Sequence, residues 1–114
     1  MVQLLSAAMK TLSNGFKINL PSIRYKYTAT PEWTDEFGIL EENGINEYGV
    51  AMSATESAYA NSNVLSYDPL VKDGISEEAM LTVVLPYVST AKAGVKRLGE
   101  IVTKHGASEA NGIL

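Results

Sequence analysis

The chain has 114 residues, of which 46% are hydrophobic and 19% charged, a composition typical of a single soluble domain with a useful core. The formal net charge of −4, with lysine and arginine scattered along the chain, argues against a nucleic-acid-binding protein, because phosphate contacts need a basic face. The lack of cysteine excludes disulfides and a thiol nucleophile among these residues. A single histidine excludes zinc sites built on several histidines or cysteines, so we expect no metal and no cofactor.

The first 24 residues allow two interpretations. A helix over residues 2–12 would place its leucines and an alanine on one stripe, and the turn formers at 13–15 would end it. Alternatively, residues 16–20 alternate apolar and polar side chains with the period of two that is typical of a strand.

A loop and a hairpin follow. The loop is predicted over residues 28–37, because Pro31 pushes the residue before it towards extended geometry. The turn at residues 46–49 (Asn-Glu-Tyr-Gly) then joins two strands, residues 38–45 and 50–55, since Asn and Gly tolerate the left-handed conformations that a tight hairpin needs. The second strand is apolar or small at every position, which predicts a strand covered on both faces.

A pair of helices is predicted after a second loop over residues 59–74. Ser76 is the predicted N-cap of the first helix, and Pro86 ends it because proline lacks the amide that would bond back one turn. The second helix begins near Thr90, and Gly106 provides its C′ residue. Two adjacent amphipathic helices after a hairpin predict an α+β fold with the helix pair packed on one face of the sheet.

The last residues turn and then begin a strand at Ile113 and Leu114, an ending that folded domains seldom have. We therefore expect a truncated fragment that forms one domain over residues 1–114. Its parts are an N-terminal segment of undecided structure (1–24), a loop and hairpin strands (25–58), a helix pair (75–106) and a turn into a truncated strand (107–114).

Residues 43–57, with the sequence NGINEYGVAMSATES, resemble the central hairpin of the N-terminal-nucleophile amide hydrolases. Within that superfamily, residues 27–35 (YTATPEWTD) and 53–57 (SATES) are similar to the bacterial dipeptidase A family of cysteine peptidases. The resemblance implies that the chain is part of a four-layer αββα sandwich. It also implies a nucleophilic cysteine, exposed as the first residue after processing, that lies outside this chain, so no catalytic residue is expected here.

Glu56 is the strongest candidate for a functional side chain. It closes an otherwise apolar strand between two hydroxyl residues, Thr55 and Ser57, and a carboxylate in such a place usually has a partner or a function. The structural alternative is a strand-end charge in solvent or a salt bridge. The resemblance places Glu56 at a position that stabilises an oxyanion or contacts substrate. Since an ionised carboxylate cannot donate to an oxyanion, we expect it to bind the α-ammonium of a dipeptide.

Two further residues of the chain were weighed for function. Asp35 is a second candidate for lining the same cleft as Thr55, Glu56 and Ser57, with loop capping as its alternative. His105, at a predicted helix end, is interpreted as a solvent-exposed cation that the helix dipole favours.

The first functional hypothesis is a fragment of a cysteine dipeptidase that is inactive by itself, with an acylase-type amide hydrolase as the runner-up within the enzyme class. The second is a non-catalytic α+β module that binds a partner or forms a scaffold, which the absence of cysteine favours. The expected partners are a dipeptide substrate in the full-length protein and further copies of the chain, because open strand edges promote self-association. No apolar run approaches the roughly 18 to 20 residues of a membrane span, so we expect no membrane or nucleic-acid partner and a cytoplasmic location.

Overall fold

The computed structural model describes residues 2–4, 8–35 and 38–114. Within these ranges the strands are β1 (Val2–Leu4), β2 (Ala8–Thr11), β3 (Lys17–Leu20), β4 (Ile23–Tyr25), β5 (Tyr27–Thr34), β6 (Gly38–Asn46), β7 (Ala51–Thr55) and β8 (Gly112–Ile113). The helices are α1 (Ser62–Tyr67), α2 (Glu77–Val84) and α3 (Ala91–His105), with a 3₁₀ turn at Leu85–Tyr87. The main sheet has the strand order β5-β6-β7-β8, while β1 pairs with β4 and β2 pairs with β3. The predicted α+β class is confirmed.

The N-terminal segment is built from strands, so the helix interpretation of residues 2–12 is wrong and the strand interpretation of residues 16–20 is confirmed as β3. Gly15, at φ 99°, lies in the turn that reverses the chain so that β2 pairs antiparallel with β3. The side chain of Asn14 fixes this turn to a distant loop, because its Nδ2 donates to the Gly74 carbonyl at 2.9 Å. Cross-strand pairing therefore overrides the weak helical stripe.

The segment predicted as a loop over residues 28–37 is instead largely the long strand β5, which pairs antiparallel with β6. The register shifts between Thr30 and Pro31, and such an irregularity accommodates a residue that has no amide to donate to the ladder. Asp35 follows the strand in a turn, and residues 36–37 lie outside the described residues. The loop prediction is wrong because the bulge absorbs Pro31 without ending the strand.

The predicted hairpin is confirmed as β6 and β7, and its turn is anchored by a buried side chain. Asn46 is 5% exposed and makes four hydrogen bonds. Its Oδ1 accepts from the Tyr48 and Val50 amides at 3.0 and 3.1 Å. Its Nδ2 donates to the Leu85 and Val88 carbonyls at 3.0 and 2.7 Å. Asn46 therefore joins the hairpin turn to the end of the first predicted helix.

Within the described residues, only one face of β7 is covered, which corrects the prediction of a strand covered on both faces. Met52 and Ala54 are buried in the core, whereas Ala51 and Thr55, which point the other way, are exposed. The cause is that α2 packs on one face of β6 and β7. Small residues on the open face therefore misled the prediction, since small size does not require burial.

Both predicted helices are confirmed as α2 and α3, with α2 on the sheet and α3 packed against α2. Ser76 occupies the N-cap position of α2, but its hydroxyl donates to the Glu78 carboxylate instead of capping the helix. Pro86 ends α2 in the 3₁₀ turn. Thr90 caps α3 by accepting a first-turn amide at 3.1 Å, and Gly106 follows α3 at φ 75°. The second predicted loop contains the short helix α1.

A carboxylate joins the sheet to α2. Both oxygens of Glu41 accept from the Tyr27 hydroxyl, at 3.1 and 2.9 Å, and one of them also accepts from the Thr82 hydroxyl at 3.2 Å. Burial raises the pKa of Tyr27, and the hydrogen bond to Glu41 adds to this effect. The phenol therefore stays protonated and continues to donate at any ordinary pH.

The predicted final strand is confirmed as β8, which pairs antiparallel with β7. Ser53 and Leu114 exchange two backbone hydrogen bonds, each 3.0 Å long, just beyond this pair. The strand brings the residues before it, 108–111, to the end of β7. No helix in the described ranges is both long enough and apolar enough to cross a membrane.

Candidate functional site

Thr55, Glu56 and Ser57 lie together at the surface, where β7 ends. Thr55 is the last residue of the strand and the other two follow it, and all three are exposed. The hydroxyl oxygens of Thr55 and Ser57 are 2.7 Å apart and share a hydrogen bond. Because Glu56 is exposed, the argument that it closes a buried strand does not apply, and its neighbours decide what it can bind.

Two other elements hold this strand end in place. Glu109 accepts from the Glu77 amide, at the start of α2, at 2.7 Å and from Asn111 Nδ2 at 3.0 Å. Asn111 Nδ2 also lies 3.4 Å from the Thr55 carbonyl oxygen. The Glu56 amide bonds in turn to the Glu77 carboxylate. The backbone that carries Glu56 is therefore fixed by the start of α2 and by the turn before β8.

Carboxylates give this end of the sheet a negative potential. Burial raises the pKa of Glu77 and the Glu109 charge adds to the shift, whereas the hydrogen bond from Glu56 opposes it. The hydrogen bond with Glu32, followed by the Glu32 charge, raises the pKa of Glu42. In the ranges described, none of these carboxylates forms an ion pair with a lysine or arginine. A small cation is therefore attracted to this region.

Glu56 and Glu109 border a cavity of about 190 Å³. The other lining residues are mostly apolar: Ala58, Tyr59, Ala60, Leu65, Leu70, Ser108 and Ala110. Carboxylates beside apolar walls suit a ligand that carries an ammonium group next to an aliphatic side chain. The α-amino end of a peptide has this chemistry.

Asp35 lies apart from this cavity. It is exposed after β5, and β6 separates β5 from β7 in the sheet. Its side chain is not among those that line the cavity of Glu56. A contact between Asp35 and substrate stays a prediction.

Three residues of this site had no signal in the sequence pattern. Glu77 matched a helix first turn, and Glu109 and Asn111 matched a turn. Each of these assignments explains the residue locally, so nothing pointed to their meeting at Thr55. The alternative of a salt bridge for Glu56 finds no support in the part of the chain that the structure describes. Nor do those residues place three or more histidine, aspartate or glutamate side chains where they could hold a metal ion.

A protein-family model, Peptidase family C69, matches residues 5–114. The chain belongs to this family. A probable dipeptidase of Latilactobacillus sakei is 54% identical over 100 residues, which are 88% of this chain and 21% of that protein. A probable dipeptidase B of Streptococcus pyogenes serotype M1 is 49% identical over 102 residues, 90% of this chain and 20% of that protein.

A probable dipeptidase A of Streptococcus pyogenes serotype M1 is 46% identical over 104 residues, which are 91% of the C69 chain and 22% of that protein. The predicted kinship with a dipeptidase family is confirmed. The C69 chain spans about a fifth of the length of these curated relatives.

Proposed function

We propose that this chain is part of a cysteine dipeptidase, an enzyme that hydrolyses free dipeptides to two amino acids. The family match over residues 5–114, with relatives named as probable dipeptidases, carries the proposal. The nucleophile is a cysteine at the mature N-terminus of a longer polypeptide, since these 114 residues contain no cysteine. The chain described here supplies part of the substrate site and none of the reacting groups.

The proposed reaction is an acyl transfer. The α-amine of the N-terminal cysteine accepts the thiol proton, which is reasonable because a free α-amine titrates near ~8. The thiolate attacks the peptide carbonyl, the C–N bond breaks, and the second amino acid leaves with the proton on its amine. Water then hydrolyses the thioester, which releases the first amino acid and restores the thiol.

Glu56 receives the α-ammonium of the dipeptide in this scheme. Its carboxylate is exposed at the cavity, whereas the Glu109 carboxylate beside it is already engaged by a backbone amide and by Asn111. Thr55 and Ser57 complete the rim, and the apolar walls contact the side chain of the first residue. A charge-assisted contact of this kind distinguishes free dipeptides from N-acylated substrates.

Alkylation of the full-length protein tests the proposed class of enzyme. We expect it to release two amino acids from free dipeptides, and iodoacetamide to abolish this activity while it labels one cysteine at the mature N-terminus, located by mass spectrometry. Activity that survives complete alkylation would contradict a cysteine nucleophile. Faster hydrolysis of N-acyl amino acids than of free dipeptides would favour the acylase alternative. A homo-oligomer and a cytoplasmic location remain predictions.

A further inference from the structure

A second and larger cleft lies between the N-terminal hairpin and α3. Its volume is about 630 Å³, and it shares no lining residue with the cavity of Glu56. One wall is β3 with Pro21 after it, and the other is the C-terminal half of α3. The cleft therefore depends on the hairpin arrangement of residues 8–20 that replaced the predicted helix.

Positive charge gathers at this cleft. Lys17 comes from β3, and Arg97 and Lys104 come from α3, while Glu100 is the one carboxylate in the lining. Glu100 is 3.8 Å from Lys96 in an exposed pair, which is the only ion pair within the described residues. Lys17, Arg97 and Lys104 thus have no carboxylate partner in that part of the chain. The sequence pattern missed this cluster because its cations are separated by up to 87 positions.

Arg97 is the fixed cation of the cleft. Its Nε donates to the Val83 carbonyl at 2.7 Å, and its guanidinium carbon lies 4.8 Å from the centre of the Tyr87 ring. These contacts orient the guanidinium, whose two terminal nitrogens can then bind both oxygens of one anionic group. Burial lowers the pKa of Arg97, so the charge is held partly away from water and an anion there would be favourable.

The floor of the cleft is apolar. Ile18 and Leu20 pack against the core from β3, and Ile101 is buried in α3. His105 is partly buried and packs edge-on against Phe16, with the ring centres 5.3 Å apart, so it is not the exposed cation that the sequence predicted. An apolar floor under a cationic rim is not suited to a bare inorganic ion.

We propose that this cleft binds a small amphipathic anion, in which a carboxylate or phosphate head group meets Arg97, Lys17 and Lys104 and an apolar body lies on Ile18, Leu20 and Ile101. Its volume is within the range of small-molecule sites, about 300–1,000 Å³. This site is independent of the proposed dipeptidase function, because no residue of the Glu56 cavity takes part.

The single histidine makes the proposal testable at the site itself. The ¹H NMR signal of the His105 ring is followed at constant pH and low ionic strength while the chain is titrated with hexanoate, with hexyl phosphate and with hexanol. We expect a saturable shift with at least one anion, with a dissociation constant about tenfold or more below that for hexanol. The two anions distinguish the carboxylate from the phosphate head group.

Three charge variants and a control complete the experiment. We expect Arg97→Gln to weaken anion binding about tenfold and Lys104→Gln about threefold. Glu100→Gln removes the only lining carboxylate and should tighten binding about twofold, a gain that misfolding cannot imitate. Lys92→Gln, on α3 but outside the cleft, should change nothing. Equal affinity for hexanol and the anions, no saturable shift, or equal effects of the Lys92 and Lys104 variants would overturn the proposal.

Discussion

Asn46→Ala should be among the most damaging single substitutions in the chain. The Asn46 side chain is 5% exposed and satisfies two amides and two carbonyls, all at distances between 2.7 and 3.1 Å. A typical protein hydrogen bond contributes about 1 kcal/mol net, so losing all four should lower the free energy of unfolding by about 4 kcal/mol. The bonds to Leu85 and Val88 are buried, and water cannot readily replace them.

Urea unfolding followed by circular dichroism measures this change, and Asn43→Ala is the matched control. Asn43 is an exposed asparagine on the same strand, so its substitution should stay within about 0.5 kcal/mol of the wild type. A loss of less than about 1 kcal/mol in Asn46→Ala would refute the argument that this side chain anchors the hairpin.

Two further predictions concern stability. A Cβ on Gly44 would lie 2.3 Å from the Thr28 carbonyl oxygen, so Gly44→Ala should lower stability by about 2 kcal/mol or more in thermal unfolding. Gly99→Ala should instead raise it by up to about 1 kcal/mol, because nothing lies within 4 Å in the middle of α3, and equal effects of the two would contradict the packing. The pKa of Glu77 is raised in the folded state, so the folded protein holds its proton more tightly and stability falls as pH rises above the unfolded value of 4.5. Glu77→Gln should therefore lose part of this decline between pH 4.5 and neutral pH in urea unfolding, and an unchanged pH profile would refute the assignment.

Local signals predicted the elements whose cause is local. The hairpin follows from its turn residues, and the ends of α3 follow from Thr90 and Gly106, because capping depends on a few neighbouring residues. The strand β5 was missed because a bulge at Pro31 is set by its pairing with β6 and not by the proline alone. The first strands were equally undecided until Gly15 brought them together.

The candidate site was only partly predictable for the same reason. Glu56 stood out because of its place after a run of apolar residues, whereas Glu109 and Asn111 reach it only through the pairing of β8 with β7. The cationic cleft has no local signature at all, since Lys17 and Arg97 meet only after the N-terminal hairpin packs beside α3. Long-range pairing carries this information, and a single sequence pattern does not.

The kinetic constants of Glu56→Gln in the full-length C69 protein test the central claim most directly. The substitution keeps the shape of the side chain and removes only its charge, and it leaves the backbone contacts of the strand end intact. We expect KM for free dipeptides to rise about tenfold with kcat little changed, because the lost contact is the one to the α-ammonium. Glu100→Gln, far from the cavity, should leave both constants unchanged. An unchanged KM in Glu56→Gln would contradict the account.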